Sequence, residues 1–367
     1  MIRNALNMAC YGTILLILLF LSSGIMFLTI ASAVSGEEID WVTRSEEAIS
    51  STFREILKAE EFGANTSNLI QELNKALKVL PEIKADFIGG NHEEAARLTY
   101  ILINVTDNIK TEASVLGNSA RAYNCSIIAY SLITLVAGVP SFILAMLAIW
   151  RWFNNRYENK NRGQETIDGL TIKDYRKLFF IIGLLGSLLL ASPAISFALP
   201  QRAKERFSEI YILGSNRMAE NYPFNIESNE TYNIVLGIGN HMGTSSYYAI
   251  HVKIRGEGEK LPNILEKNPS PLATVYEYRV FVANNKIFEK SLSFLFNFQL
   301  NGENCTIKSL RIDGTTYDVN KIVRWNPEKN GFLINILFEL WIYDAENEVF
   351  RFHNRFVGMW LNMTDNM

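Results

Sequence analysis

The run YAIHVKIR at residues 248–255 puts Tyr248, Ile250, Val252 and Ile254 on one side of an extended chain. Ala249, His251, Lys253 and Arg255 fall on the other side. Period-two alternation of this kind describes a strand with one buried face and one largely wet face. Working outward, FSEIYIL from 207, YNIVLGI from 232, VYEYRVFV from 275, LSFLFNFQL from 292 and CTIKSLRI from 305 read the same way. So do FLINILFELWIY from 332 and VFRFHNRFVGMWLNM from 349. Turn signals separate many of them, at Asn284-Asn285, Asn301-Gly302, Asp313-Gly314 and Ala345-Glu346-Asn347-Glu348. About seven to nine strands within residues 200–367 predict an immunoglobulin-like β-sandwich, without the Cys…Trp…Cys core of antibody domains.

Upstream the pattern changes. The chain has 367 residues, 48% hydrophobic and 20% charged, with a net charge of −3. These averages exclude a collagen, a disordered polar chain, a basic nucleic-acid binder and a many-span transporter. They conceal three charge-free apolar stretches at residues 12–33, 125–150 and 178–199, each with the roughly 20 residues needed to cross a bilayer. The segment 151–177 carries Arg151, Arg156, Lys160, Arg162, Lys173, Arg176 and Lys177, whereas Glu37, Glu38 and Asp40 follow the first stretch. The positive-inside rule then sets the N-terminus and 151–177 in the cytoplasm and residues 35–124 and 200–367 outside, against the minority signal of Arg202, Lys204 and Arg206. The first stretch, within residues 1–34, reads as a retained anchor. Ala31-Ser32-Ala33 provides a signal-peptidase site in the alternative. No Asp, Glu, Lys, Arg or His lies within a span, which argues against transport, and Gly138, Pro140 and Pro193 read as kinks.

Residues 35–124 lack a strand pattern and predict a helical bundle. Ile49, Phe53, Ile56 and Leu57 share a face of a first helix, which Phe62-Gly63-Ala64-Asn65 breaks. Asn68 with Gln71 resembles a capping box for a second helix carrying Leu69, Leu73, Ala76, Leu77 and Leu80, kinked at Pro81 and ended by Gly89-Gly90. Asn91 with Glu94 opens a third, striped by Leu98, Ile101, Leu102, Val105, Ile109 and Leu116. The chain must return to the membrane at Cys125, so the third helix should descend and run without a break into the second span. The first two would climb together, or the first would lie along the membrane surface.

Asn-X-Ser/Thr sequons occur at Asn65, Asn104, Asn124, Asn229, Asn304 and Asn362, all on the side read as outside. Asparagine is common enough here that chance accounts for the number. Asn65, Asn104, Asn229, Asn304 and Asn362 are candidate N-glycosylation sites, and Asn124 abuts the membrane. Cys10, Cys125 and Cys305 make no disulfide framework, so the outer domains must rest on ordinary cores.

Residues 206–252, RFSEIYILGSNRMAENYPFNIESNETYNIVLGIGNHMGTSSYYAIHV, carry a family resemblance. The features are the Glu205-Arg206-Phe207 lead-in, Tyr211 to Gly214 at a strand end, Ala219-Glu220-Asn221-Tyr222-Pro223, and Gly237-Ile238-Gly239-Asn240-His241. This resembles archaeal membrane proteins carrying domain of unknown function 1616, and residues 338–361 with Trp360 fit the end of that domain. The likeness covers the third span and the C-terminal half, leaving 35–124 as a helical insertion or accessory domain. Ser215-Asn216-Arg217 replaces the turn expected there, and Met242 stands where an acidic residue usually follows Asn-His, so metal binding by that loop is not implied. The resemblance implies an archaeal cell-surface membrane protein with a β-rich domain and no assigned activity.

Chemistry-bearing residues are few. Gly237-x-Gly239-x-x-x-Gly243 precedes a strand where a dinucleotide fingerprint needs a helix, and reads instead as a strand-end turn of unusual φ. His92, His241, His251 and His353 show no paired-ligand spacing, and His251 and His353 read as solvated strand residues. The turn at Asn240 and His241 is the candidate binding turn, although a side chain bonding its own loop is the commoner reason for such residues. Tyr247, Tyr248, Tyr276, Tyr278, Trp325, Trp341 and Trp360 offer a stacking surface or core packing.

The expected whole is an α+β membrane protein with three transmembrane helices, an extracytoplasmic helical bundle and a sandwich. Its expected partners are membrane lipid and proteins of the cell envelope, without nucleic acid, cofactor, metal or catalytic residues. Its expected role is adhesion, envelope organisation or complex assembly. Alternatives are a ligand-binding receptor signalling through a partner and an accessory subunit of an envelope-processing or glycosylation enzyme.

Overall fold

A computed structural model describes residues 40–160, 166–167, 170–198 and 205–364. The expected first span at 12–33, its cleavage site, and residues 161–165 and 168–169 of the expected cytoplasmic loop lie outside the described residues. From Trp41 onward the chain forms one compact unit.

The helical part contains α1 (Trp41–Glu61), α2 (Ser67–Leu77), α3 (Leu80–Ile88) and α4 (His92–Ile133). A π-helical turn (Thr134–Gly138) joins α4 to α5 (Val139–Lys160). The expected second helix is two helices. Pro81 sits in the first turn of α3, where its missing N–H costs nothing, instead of kinking a continuous helix. Neither expected capping box forms. Thr66 is the N-cap of α2, the Ser67 amide donates to Asn65 Oδ1 at 3.2 Å, and Asn91 begins α4 without a side-chain cap bond.

The seam between α1 and α4 is built from small residues at heptad spacing. Ser45, Thr52 and Ala59 face Thr99, Thr106 and Ala113, all at most 2% exposed. Ser45 Oγ lies 3.1 Å from Thr99 Oγ1, and Thr52 Oγ1 reaches the Thr106 carbonyl at 3.3 Å. A Cβ on Gly117 would sit 3.1 Å from Ala59 Cα, which shows how closely the backbones approach. These contacts advance together along both helices, so α1 runs parallel to α4. The expectation set a climbing first helix against a descending third, whereas the two run in the same direction. The seam also rotates the expected stripe on α4, where Ile101 and Val105 are exposed. Thr106 is admitted to the core because its hydroxyl bonds the Leu102 carbonyl one turn back at 3.0 Å, leaving its methyl for packing.

As expected, α4 passes Tyr123–Ser126 without interruption. The combined helix His92–Arg156 has 65 residues, about 100 Å at 1.5 Å per residue, and among the described residues it alone is long and apolar enough to cross a membrane. The π-turn lies directly before Pro140, where widening the helix accommodates a residue without an amide proton. A minimal hairpin, β1 (Thr166–Ile167) and β2 (Leu170–Thr171), precedes α6 (Ile172–Ala198). Trp150 and Phe153 of α5 meet Phe179 of α6 at ring separations of 5.3 and 5.9 Å.

The sandwich comprises β3 (Phe207–Leu213), β4 (Asn225–Glu227), β5 (Thr231–His241), β6 (Ser246–Gly256) and β7 (Tyr276–Val282). It continues with β8 (Lys286–Asn301), β9 (Asn304–Ile312), β10 (Thr315–Arg324), β11 (Phe332–Asp344) and β12 (Val349–Thr364). One sheet has the order β10-β9-β8-β5-β3 and the other β4-β12-β11-β6-β7. Neighbours are antiparallel except β12 with β4. The core between them holds Ile234, Leu236, Ile238, Ile250, Val252, Phe294, Phe296, Ile334 and Phe338, all buried. All four expected turns join strands. Asp313 (φ 47°) and Gly314 (φ 91°) both take the left-handed conformation that a two-residue hairpin demands. Gly237 and Gly239, by contrast, lie within β5 with ordinary φ, and only Gly243 (φ 91°) fits the expected unusual turn. Gly237 pairs with Tyr211 across the strands, and a Cβ there would overlap the Tyr211 ring.

Candidate functional site at the helix–sandwich junction

The outer side of the β11–β6–β7 sheet is covered, which corrects the expected wet face. Ala249 is 0% exposed and Lys253 3%. At one end of this face Tyr247 stacks on Phe281 at 4.0 Å and 15°, and Phe53 of α1 packs on Phe281 at 5.0 Å. Tyr247, Phe281 and Phe53 belong to the same core as Ile49, Leu73 and Ile109 of the helices. Fully burying one such ring stabilises by about 1.5–3 kcal/mol, so the helices and the sandwich are held as one body. Asn74 of α2 reinforces the joint. Its Nδ2 donates to the Phe281 carbonyl at 2.7 Å, and the Phe281 amide donates to its Oδ1 at 2.8 Å.

A polar layer adjoins these rings. Arg279 on β7 donates to Glu46 of α1 at 3.0 Å and to Glu277 at 2.5 Å, and Lys84 of α3 meets Glu46 at 2.8 Å. His251 Nε2 lies 3.1 Å from Glu277, and its ring stacks on Trp341 at 4.6 Å. Burial alone would raise the Glu277 pKa, but the bond from His251 and the Arg279 charge outweigh it and bring it down to about 2. Burial likewise pushes the Tyr247 phenol upward, only partly opposed by Arg279.

Further along the same face, Lys253 (4% exposed side chain) and Glu339 (0%) form an ion pair at 2.8 Å. Lys253 Nζ also donates to the Ser270 carbonyl at 2.7 Å, and the Ser270 amide donates to Glu339 Oε1 at 2.7 Å. Each charge is therefore answered by the loop that lies over it, and the pair pins residues 257–273 to the sheet.

Between α2–α3 and the strands lies a cleft of about 540 Å³. The β7 edge forms its floor. Tyr276, Tyr278 and Tyr317 line it together with Lys84, Lys290 and Asp313. Lys290 pairs with Asp313 at 2.5 Å and sits 4.6 Å over the Tyr278 ring. Burial raises the pKa of both Tyr276 and Tyr278, which keeps them as neutral donors and stacking surfaces. A concave, mostly apolar site with three tyrosines and converging charges at the joint of two modules is the usual setting for ligand recognition. A second recess of about 220 Å³ lies on the other side of Arg279, beside the Arg54–Glu348 pair.

The expected binding turn is placed elsewhere and occupied differently. Asn240 is 0% exposed. Its Nδ2 donates to the Thr244 and Val282 carbonyls at 2.9 and 2.7 Å, while its Oδ1 accepts from the Met242 amide at 3.0 Å and the Tyr248 hydroxyl at 3.2 Å. All its polar capacity is used internally. His241 stacks on Phe207 at 4.7 Å. Glu60 at the end of α1 accepts from the Ser245 amide at 2.7 Å, so this turn is an anchor point for the helices.

His251 and His353 are half-buried, not solvated: His251 lies on the covered outer face of β6, and His353 turns toward the facing sheet. His353 Nε2 meets Ser208 Oγ at 2.9 Å, and Ser208 meets the Tyr248 hydroxyl at 2.6 Å, continuing the Asn240 network between the sheets. Burial lowers the His353 pKa. Among the described residues no three His, Cys, Asp or Glu side chains converge on a metal position. Of the sequons, Asn65, Asn104, Asn124, Asn229 and Asn304 are exposed. Asn124 donates to the Phe62 carbonyl at 2.7 Å, and half-buried Asn362 donates to Asn225 at 3.0 Å.

No curated protein matches the chain. Among solved structures, it is similar to the CARDB domain of a Pyrococcus furiosus protein in complex with di-metal ions, at 9% identity and a TM-score of 0.23, covering 45% of this chain and 95% of that one. It is similar to a complex of zinc 2-glycoprotein and prolactin inducible protein from human seminal plasma, at 8% identity and TM-score 0.22, covering 45% and 100%. A Listeria innocua beta-glucosidase in complex with isofagomine matches at 8% identity and TM-score 0.21, covering 44% of this chain and 16% of the enzyme. Residues 200–317, which reach to the Tyr317 lining the cleft, match the family described as Domain of unknown function (DUF1616), and the chain carries that domain there.

Proposed function

We propose that this chain is a non-enzymatic, membrane-anchored surface protein that assembles partners in the cell envelope through the cleft at its helix–sandwich junction. In this reading residues 12–33, 125–150 and 178–199 span the membrane, the N-terminus and 151–177 face the cytoplasm, and both outer modules stand on the far side. One observation carries it: the helical bundle shares a buried core with the sandwich, and its α4 continues unbroken into the apolar segment. The outer body is thereby tied stiffly to its anchor, as an assembly platform requires. Exposed Asn65, Asn104, Asn229 and Asn304 are the positions where glycans would be tolerated on such a surface.

A receptor is the second reading, favoured by one feature. The cleft wall is α2–α3, and α3 packs on α4, so a ligand that displaced α3 would act on the helix that enters the membrane. Crosslinking in native membranes followed by mass spectrometry separates the readings. Envelope proteins joined to cleft residues support assembly. A cytoplasmic protein joined to 151–177 supports the receptor. A processing enzyme recovered as the main adduct would replace both with an accessory-subunit role.

A further inference from the structure

We infer that the cleft receives an extended, acidic segment of a partner protein, which adds as a strand to the open edge of β7. This rests on the assembly reading above and names how the partner engages. In the sheet order, β7 is terminal, paired only with β6. In an antiparallel pair, residues alternate between bonding their neighbour and pointing the amide and carbonyl away from it. The Phe281 amide and carbonyl point away, because both bond the Asn74 side chain. Alternation therefore turns the amides and carbonyls of Arg279 and Glu277 the same way, along the cleft. At the other end the Val275 amide bonds the Val252 carbonyl although Tyr276 is the register partner of Val252, a bulge that leaves this alternation intact.

Asn74 thus already makes, with its primary amide, the two-bond contact that a peptide backbone would make, and it stops one position short of two unfilled ones. Edge strands normally hide such groups, and here they lie in a walled groove of peptide dimensions. Side chains define the partner further. Tyr276 and Tyr278 leave β7 toward the sandwich side, whereas Glu277 and Arg279 leave it toward the helices. An added strand would set one row of side chains against Tyr276, Tyr278 and Tyr317 and the other beside Lys84 and Arg279. The cleft is lined by four cations, Lys78, Lys84, Arg279 and Lys290, against two carboxylates, Glu277 and Asp313, with Glu46 beside it answering Lys84 and Arg279, so one positive charge stays in excess. Charge complementarity selects a segment that alternates apolar and acidic residues.

The test places a photo-crosslinking benzoylphenylalanine at Thr315, on the cleft wall, or at Lys308, exposed on β9, in the full chain in native membranes. The expected result is an adduct at Thr315, mapped by tandem mass spectrometry to an acidic segment, and none at Lys308. Glu277→Ala keeps the outward amide and sets the adduct yield against which a proline at the same position is read. Relative to that alanine variant, Glu277→Pro removes only that donor on the free side of an edge strand and should reduce the yield about tenfold. Lys78→Glu, at an exposed position outside the strand, should weaken it as well and guards against a folding defect in the proline variant. An adduct equally strong in the proline and alanine variants, or mapped to a basic segment, overturns strand addition while leaving assembly standing. Absence of any adduct at both positions overturns the assembly reading with it.

Discussion

Replacing Phe53 by alanine is the sharpest perturbation of the junction. The ring is 1% exposed and lies 5.0 Å from Phe281 and 6.1 Å from Tyr247, so its loss leaves a cavity bounded by both modules. Buried Phe→Ala changes cost about 3–5 kcal/mol, and a rigid sheet on one side prevents the site from collapsing, so about 4 kcal/mol is expected. At about 1.4 kcal/mol per factor of ten, opening becomes roughly a thousandfold more frequent. Amide hydrogen exchange on the full chain in lipid nanodiscs reads this by segment. Residues 45–60 of α1 should lose protection together with β6 and β7, because one core serves them all. Loss of protection in α1 with β6 and β7 unchanged would refute the shared core, and the outer part would then be two bodies in loose contact.

Other consequences follow from single contacts. Lys253→Met strands the Glu339 carboxylate and should cost about 3–5 kcal/mol in thermal or denaturant unfolding, whereas Lys253→Met with Glu339→Leu should recover most of it. Gly237→Ala forces a methyl into the Tyr211 ring and should cost about 1–3 kcal/mol, relieved by adding Tyr211→Ser in a double-mutant cycle. The Glu277 carboxyl titrates near 2 instead of the usual 4.5, so its contribution to the junction is complete above about pH 4.5. It fades as the pH falls toward 2, and Glu277→Gln should flatten that acid limb in a pH series of unfolding midpoints.

Much of the sandwich was legible because each long strand alternates and most end in a turn whose residues accept positive φ, as at Asn285, Asp313 and Gly302. β4 was missed because three residues carry no period. β10 was missed because Lys321, paired with Glu259, takes an inward position while Ile322 is exposed, which masks an alternation that the strand keeps. The continuity of α4 with α5 followed from chain parity alone. The seam of α1 with α4 did not, since hydrophobic stripes do not register Thr99 and Thr106 as core residues. The junction was hidden for a different reason. His251, Lys253 and Glu277 look solvated locally, and only helices far upstream and the 257–273 loop cover them. One signal was available: FLINILFELWIY is apolar on both faces, so Glu339 within it had to be buried and answered by a cation.

Sidedness decides whether the cleft can serve the envelope at all. Single cysteines at Lys308 and at Arg156, in a chain whose Cys10, Cys125 and Cys305 are replaced by alanine, can be labelled on intact cells with a membrane-impermeant maleimide. The account predicts that the Lys308 position reacts at once and the Arg156 position only after the membrane is permeabilised. Labelling of the Arg156 position alone on intact cells would put the sandwich and its cleft inside and contradict the account.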